Sequence, residues 1–122
     1  MKNTRQKGNI GEDFAAKVLE EKGYRVLCRN YKGKHGEIDI ICEKSSYIVF
    51  TEVKLREILS ERPASAVDKK KMAHINDTLS EFMSEYMDNN YIASLTPRID
   101  IFEIICKDGV ITDYFHIENV ER

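Results

Sequence analysis

Apolar positions along the chain recur with the 3.6-residue period of a helix, then with the two-residue period of strands, then with each again. From about Gly11 to Lys22, residues Ile10, Phe14, Ala15, Val18 and Leu19 form one helical stripe, and Gly23 supplies a stop signal. Three strand patterns follow, over 24–29, 37–43 and 47–54, the last rich in β-branched and aromatic residues. The charged segment 56–64, which carries Pro63, predicts a loop. A second helix is predicted to start within 65–68 and to run to about Asp88, with Met72, Ile75, Leu79, Phe82, Met83 and Tyr86 as its core stripe. Asn89-Asn90 is read as its end. Strands over 98–105 and 110–117, joined around Lys107-Asp108-Gly109, complete the order α-β-β-β-α-β-β. This order predicts an α/β fold, a mixed central β-sheet flanked by helices, in one domain spanning residues 1–122.

Two strand segments break the apolar pattern with charge. Glu37-Ile38-Asp39 and Glu52-Val53-Lys54 place three carboxylates and an ammonium inside runs that otherwise read as buried. Strict alternation predicts Glu37 and Asp39 on one face with Ile38 and Ile40 on the other, and puts Glu52 and Lys54 together opposite Val53. The short polar link Lys44-Ser45-Ser46 predicts a hairpin, which brings Asp39 towards Glu52 and Lys54. Such acids are costly to bury unless they are paired, hydrogen-bonded or bound to a metal. Oxygen donors of this kind suit Mg²⁺ or Mn²⁺, and a lysine beside them can orient a water and offset charge in a transition state. The bland reading is one wet face of an antiparallel sheet. Glu12 falls at the edge of the first helical stripe and extends the candidate cluster to a helix. Glu37 is either an outer ligand or a surface glutamate.

Charge and composition adjust this picture only slightly. The net charge of −2 argues against a purely electrostatic nucleic-acid binder, although carboxylates gathered for a cation account for part of it. Lys69, Lys70 and Lys71 open the second helix, either as a solvated face or as contacts to a DNA backbone. His35 lies in a Gly-Lys-His-Gly turn as an exposed loop histidine or a phosphate contact, and His35, His74 and His116 have no metal-ligand spacing. Arg98 and Asp100 are expected to form an ion pair that supports the sheet. Three scattered cysteines and no apolar stretch long enough to span a bilayer point to a reduced, cytoplasmic protein. The Gly-Asn-Ile-Gly segment at 8–11 is not a nucleotide fingerprint, because no strand precedes it.

Gly11-Glu12-Asp13, Gly23-Tyr24, Arg29-Asn30-Tyr31, Gly36-Glu37-Ile38-Asp39, Phe50-Thr51-Glu52-Val53-Lys54, Ala66-Val67-Asp68 and Arg98-Ile99-Asp100, in this order, resemble the YraN or UPF0102 family over nearly the whole chain. The resemblance implies a restriction-endonuclease-like fold, similar to archaeal Holliday-junction resolvases within the PD-(D/E)xK nuclease superfamily. Carried over by position, it implies that Asp39, Glu52 and Glu12 are metal ligands for Mg²⁺ or Mn²⁺ and that Lys54 is catalytic beside them. It implies DNA as partner, branched or otherwise structured, with a homodimer by analogy with resolvases; Lys69, Lys70, Lys71, His35 and Arg56 are candidate contacts to that DNA read from the residues themselves. Ile38 stands where the name-giving motif has proline, as in resolvase-like branches. Leu55 stands where the family more often has threonine, so a hydroxyl near the scissile phosphate is missing. The expectation is a metal-dependent endonuclease, with two alternatives: a catalytically weak binding module of the same fold, and a non-enzymatic adaptor.

Overall fold

In a computed structural model, which describes residues 4–58 and 69–120, the chain forms a five-stranded mixed sheet with helices on both faces. The elements are α1 (Thr4–Glu21), β1 (Arg25–Lys32), β2 (Glu37–Lys44), β3 (Tyr47–Glu57), α2 (Lys69–Glu85), α3 (Asn90–Ser94), β4 (Thr96–Lys107) and β5 (Val110–Ile117). The strand order follows the sequence order, and only β3 and β4 are parallel. That pair is the one whose connection is long enough to carry helices, as a parallel crossover requires. No described helix is long and apolar enough to cross a membrane.

α1 packs Ala15, Val18 and Leu19 against Ile40, Cys42, Val49, Phe102 and Ile104 on one face of the sheet. α2 packs Ile75, Leu79 and Phe82 against Ile38, Ile41, Ile48, Phe50 and Ile99 on the other. Along β3, Ile48 and Phe50 belong to the α2 side and Val49 to the α1 side, so alternation carries Glu52, Lys54 and Arg56 to the α2 face. The hairpin predicted at 44–46 is present: Lys44 pairs with Tyr47, and Ser45 takes a left-handed φ of 57°.

Several expectations change. α1 begins a full two turns before Gly11, and Ile10, counted in its stripe, is 52 % exposed. Its buried line instead runs through Gly11, Glu12, Ala15, Ala16, Val18 and Leu19. The small residues on this line let the helix approach closely, and a Cβ at Gly11 would touch Ile104, Leu55 and Val53 of the sheet. β3 continues through Glu57, so Arg56 lies on a strand and not in the predicted loop; residues 59–64 of that loop and 65–68 of the expected helix start lie outside the described residues. Asn89 caps a further short helix, its side chain accepting from the Ile92 N–H at 3.0 Å. Its Asx chemistry was read as an end, and it also serves as a beginning.

The strict alternation expected for β2 fails at Asp39. Ile38 and Ile41 face α2 while Ile40 and Cys42 face α1, so the strand slips by one side around residue 39. Its neighbour matches it: Asn30 adopts φ 57° between the paired positions Arg29↔Ile40 and Tyr31↔Ile38. Asparagine is among the few residues that reach this conformation cheaply. At the same level the β2–β3 ladder stops, its last pair being Ile40↔Thr51.

Candidate active site

Where β2 peels away from β3, the Asp39 carboxylate takes over from the missing ladder. Its Oδ2 accepts the Val53 N–H at 2.7 Å. This holds Asp39 at the gap between two strands, beside Glu52, which directly precedes that amide. The Asp39 pKa is pushed up to about 9, by burial first, then by a hydrogen bond with Glu52 and by its charge, and further by the charge of Glu12; the Val53 N–H pulls the other way. Crowded against a second carboxyl group in a buried place, Asp39 cannot ionise cheaply and keeps its proton.

Glu52 is buried on the α2 side, and its Oε2 has Lys71 Nζ at 2.8 Å. The ammonium is near but out of line, and Oε2 has no hydrogen-bond donor aligned on it. Glu12 comes from the opposite face. It is buried in the middle of the α1 contact line, not at its edge, with Arg29 Nη2 3.6 Å from Oε1 and no hydrogen bond to that oxygen. Arg29 reaches Asp13 more closely, at 2.7 Å. The gap at Asp39 thus receives carboxylates from both sides of the sheet.

Lys54 lies on the Glu52 face two residues further along β3, in register with Glu103 of β4. Glu103 is a site residue that the sequence reading passed over. It is only 1 % exposed, its Oε1 has no hydrogen-bond partner, and its Oε2 lies 3.9 Å from Arg56 Nη1. Its signal was available: an acid centred in Ile101-Phe102-Glu103-Ile104-Ile105, the same criterion that singled out Glu52.

These unpartnered oxygens stand out against the other buried acids. Asp100 accepts from the Arg98 guanidinium at 2.8 and 2.9 Å and from the Asn119 N–H at 2.9 Å, with His116 Nε2 at 2.7 Å. Burial raises its pKa, but those bonds outweigh burial and leave the carboxyl below its ordinary range. The Arg98–Asp100 support expected from sequence is therefore present, and His116 joins it. Glu43 is likewise matched by Arg25 and Tyr91. Full partnering is the usual condition of buried polar groups. Glu12, Glu52 and Glu103 depart from it, and all three gather at the Asp39–Lys54 end of the sheet.

The remaining sequence candidates fall elsewhere. Glu37 is exposed, as a surface glutamate. His35 is tied to α2: Glu81 accepts the Lys34 and His35 backbone N–H groups at 2.8 and 3.2 Å, and the His35 ring lies 3.8 Å from it. Lys70 is exposed, Lys71 is on Glu52, and the Lys69 side chain lies outside what is described. Among the described residues, no three His, Cys, Asp or Glu side chains come together tightly enough to enclose a metal ion unaided. The donor set still fits a hydrated divalent cation. Mg²⁺ takes one or two carboxylates and keeps several waters, and here the proton held on Asp39 and the unpartnered carboxylate oxygens mark where positive charge is wanting.

The uncharacterised protein family UPF0102 matches residues 11–104, a stretch that includes every member of this cluster. A UPF0102 protein of Fervidobacterium nodosum is 41 % identical over 91 % of this chain and 78 % of its own length. Another, of Carboxydothermus hydrogenoformans, is 36 % identical over 88 % of each chain. A third, of Dictyoglomus thermophilum, is 37 % identical over 96 % of this chain and 98 % of its own. The chain belongs to the uncharacterised protein family UPF0102.

Proposed function

We propose that the chain is a metal-dependent endonuclease of restriction-endonuclease-like fold that hydrolyses phosphodiester bonds in DNA, with branched or structured DNA as the favoured substrate. One observation carries the reading: Glu12, Glu52 and Glu103, buried carboxylates with unpartnered oxygens, gather with Asp39 at a strand splay, next to Lys54. A fold has no structural use for such a concentration of unmet negative charge.

Asp39, Glu52 and the Val53 carbonyl would hold a Mg²⁺ or Mn²⁺ ion, with Glu12 as accessory ligand. Bound there, the ion supplies charge neutralisation on the phosphoryl oxygens and makes water a competent nucleophile near neutral pH. The chain's own residues do the rest. The Val53 N–H fixes the Asp39 carboxylate in the gap. Lys54 orients the attacking water and donates to the oxygen that gains charge. Lys70, Lys71 and Arg56 offer positive charge to the DNA backbone. Paired cuts in two strands call for two sites, which a two-fold homodimer provides.

A binding module of the same fold is the second reading, favoured by the Glu52–Lys71 ion pair, which lowers the charge of the site without any metal. Incubating the protein with supercoiled, linear, single-stranded and four-way-junction DNA in Mg²⁺, Mn²⁺ or EDTA separates them. The enzyme cuts only with metal, and Lys54→Ala lowers the rate by about a hundredfold or more. Retardation without cutting supports the module, and neither behaviour leaves an adaptor.

A further inference from the structure

Lys71 was expected only as one of three lysines facing solvent or DNA. Its Nζ instead lies 2.8 Å from Glu52 Oε2, with the lysine side chain 55 % exposed and the glutamate side chain 10 %. The contact differs in kind from the ion pairs of Asp100 and Glu43. Arg98 grips Asp100 with two aligned hydrogen bonds, and Arg25 donates to Glu43. Lys71 brings charge to Glu52 without an aligned bond. An ammonium on a flexible four-carbon stem is a compact, mobile point charge, unlike a guanidinium fork. It is half in water and rooted in the first turn of α2.

We propose that Lys71 is an internal cation of the site: it occupies Glu52 until a divalent ion takes that carboxylate, and its displaced ammonium then becomes a contact to a DNA phosphate. The inference rests on the metal-site reading above and adds a coupling to it. Metal loading and backbone binding reinforce one another, because each favours the arrangement in which Lys71 has left Glu52, and such linkage is reciprocal. The bare site is also kept from carrying its full negative charge.

Mn²⁺ titration by calorimetry on wild type, Lys71→Gln and Lys70→Gln tests the displacement. If the ammonium occupies Glu52 most of the time, removing it tightens Mn²⁺ binding about threefold to tenfold, the inverse of the fraction of protein with Glu52 vacant. Lys70→Gln deletes the same charge one residue away and leaves the affinity unchanged. Equal gains in both variants reduce the effect to general electrostatics and overturn the proposal, as does unchanged or weaker binding in Lys71→Gln. Absence of Mn²⁺ binding in wild type and Lys71→Gln alike refutes the metal site itself, and the proposal with it. The second half is read by anisotropy of a labelled duplex in a Lys54→Ala background, which prevents cutting. Mg²⁺ strengthens duplex binding when Lys71 is present and has no effect in the Lys54→Ala/Lys71→Gln protein; the same Mg²⁺ response with and without Lys71 overturns the coupling.

Discussion

Replacing Asp39 with asparagine should make the protein more stable at neutral and alkaline pH while destroying the proposed metal site. The substitution keeps the shape of the side chain and an oxygen to accept the Val53 N–H, now at 2.7 Å, and it removes one of two crowded carboxyl groups. In the wild type, Asp39 retains its proton up to a pKa of about 9. The unfolded chain gives up that proton in the ordinary carboxylate range near pH 4. Between these limits the native state binds more protons than the unfolded state, so the stabilising contribution of protonated Asp39 is complete below pH 4 and is lost as pH rises towards 9. The slope is at most about 1.4 kcal/mol per pH unit for a single proton. From pH 6 to pH 8 the wild type therefore loses up to about 2.7 kcal/mol that Asp39→Asn does not lose, a large fraction of a typical domain's stability. Urea unfolding of both proteins at pH 5, 6, 7, 8 and 9 gives the difference curve, in which the three histidines cancel. Added Mg²⁺ should raise wild-type stability most at the alkaline end and leave Asp39→Asn unmoved. Parallel stability curves for the two proteins across this range would show that Asp39 does not hold its proton in the folded protein, and would sink the crowding of carboxyls at the site.

Two further predictions concern the frame around the site. Asp100→Ala leaves the Arg98 guanidinium and His116 facing an empty place in the interior, and should cost about 3–5 kcal/mol in urea unfolding. Asp100→Asn should flatten the acid limb instead, because the lowered carboxyl pKa gives stability that is present above the ordinary carboxylate range and is lost as pH falls through the lowered value. Gly33→Ala puts a methyl group 2.5 Å from Glu81 Oε2, which drives that carboxylate off the Lys34 and His35 N–H groups. The loss should be about 1–2 kcal/mol, and Glu81→Ala in the same background should add little, a coupling that a double-mutant cycle measures.

The elements legible in the sequence were those whose period is set by one continuous surface. The α2 stripe as far as Met83 is of this kind; Tyr86, counted in it, is 40 % exposed and lies past the end of the helix at Glu85. α2 buries one face against one layer, so a simple pattern of apolar positions suffices; the β2–β3 hairpin buries both faces and is legible from its short polar turn. The reading failed where two residues on neighbouring strands act together. Alternation through β2 depends on Asn30 of β1, whose left-handed backbone lets both strands slip by one side at the same level. Nothing in Glu37-Ile38-Asp39-Ile40 alone encodes that slip. The same limit hid Lys71, which as part of a lysine run has the look of a solvated face, and whose partner Glu52 is set by how α2 lies on the sheet. Short α3 escaped because Asn89-Asn90 signals a helix boundary without saying which side of it the helix lies on.

That slip is also what makes the site. Had β2 kept its alternation and its ladder to β3, the Val53 N–H would have been bonded to a backbone carbonyl, leaving Asp39 free to turn towards water. Because the ladder ends at Ile40↔Thr51, the amide needs another acceptor, and Asp39 supplies it from a position that Glu52 and Glu12 also approach. A backbone defect thus fixes a carboxylate in a place it would otherwise avoid. The energetic cost falls on the ionisation of Asp39, whose proton a divalent ion could replace. Asn30→Ala, at a position where φ is 57°, should then do more than remove an exposed side chain. Alanine resists this conformation by about 1–2 kcal/mol, so β1 would be driven towards regular pairing and β2 with it. The expected result is a modest loss of stability together with weakened Mn²⁺ binding, seen by calorimetry in a protein that still folds. Asn30→Gly, which accepts the same backbone angle, should retain the metal site. Equal Mn²⁺ affinity in wild type and Asn30→Ala would mean that Asp39 holds its place without the kink.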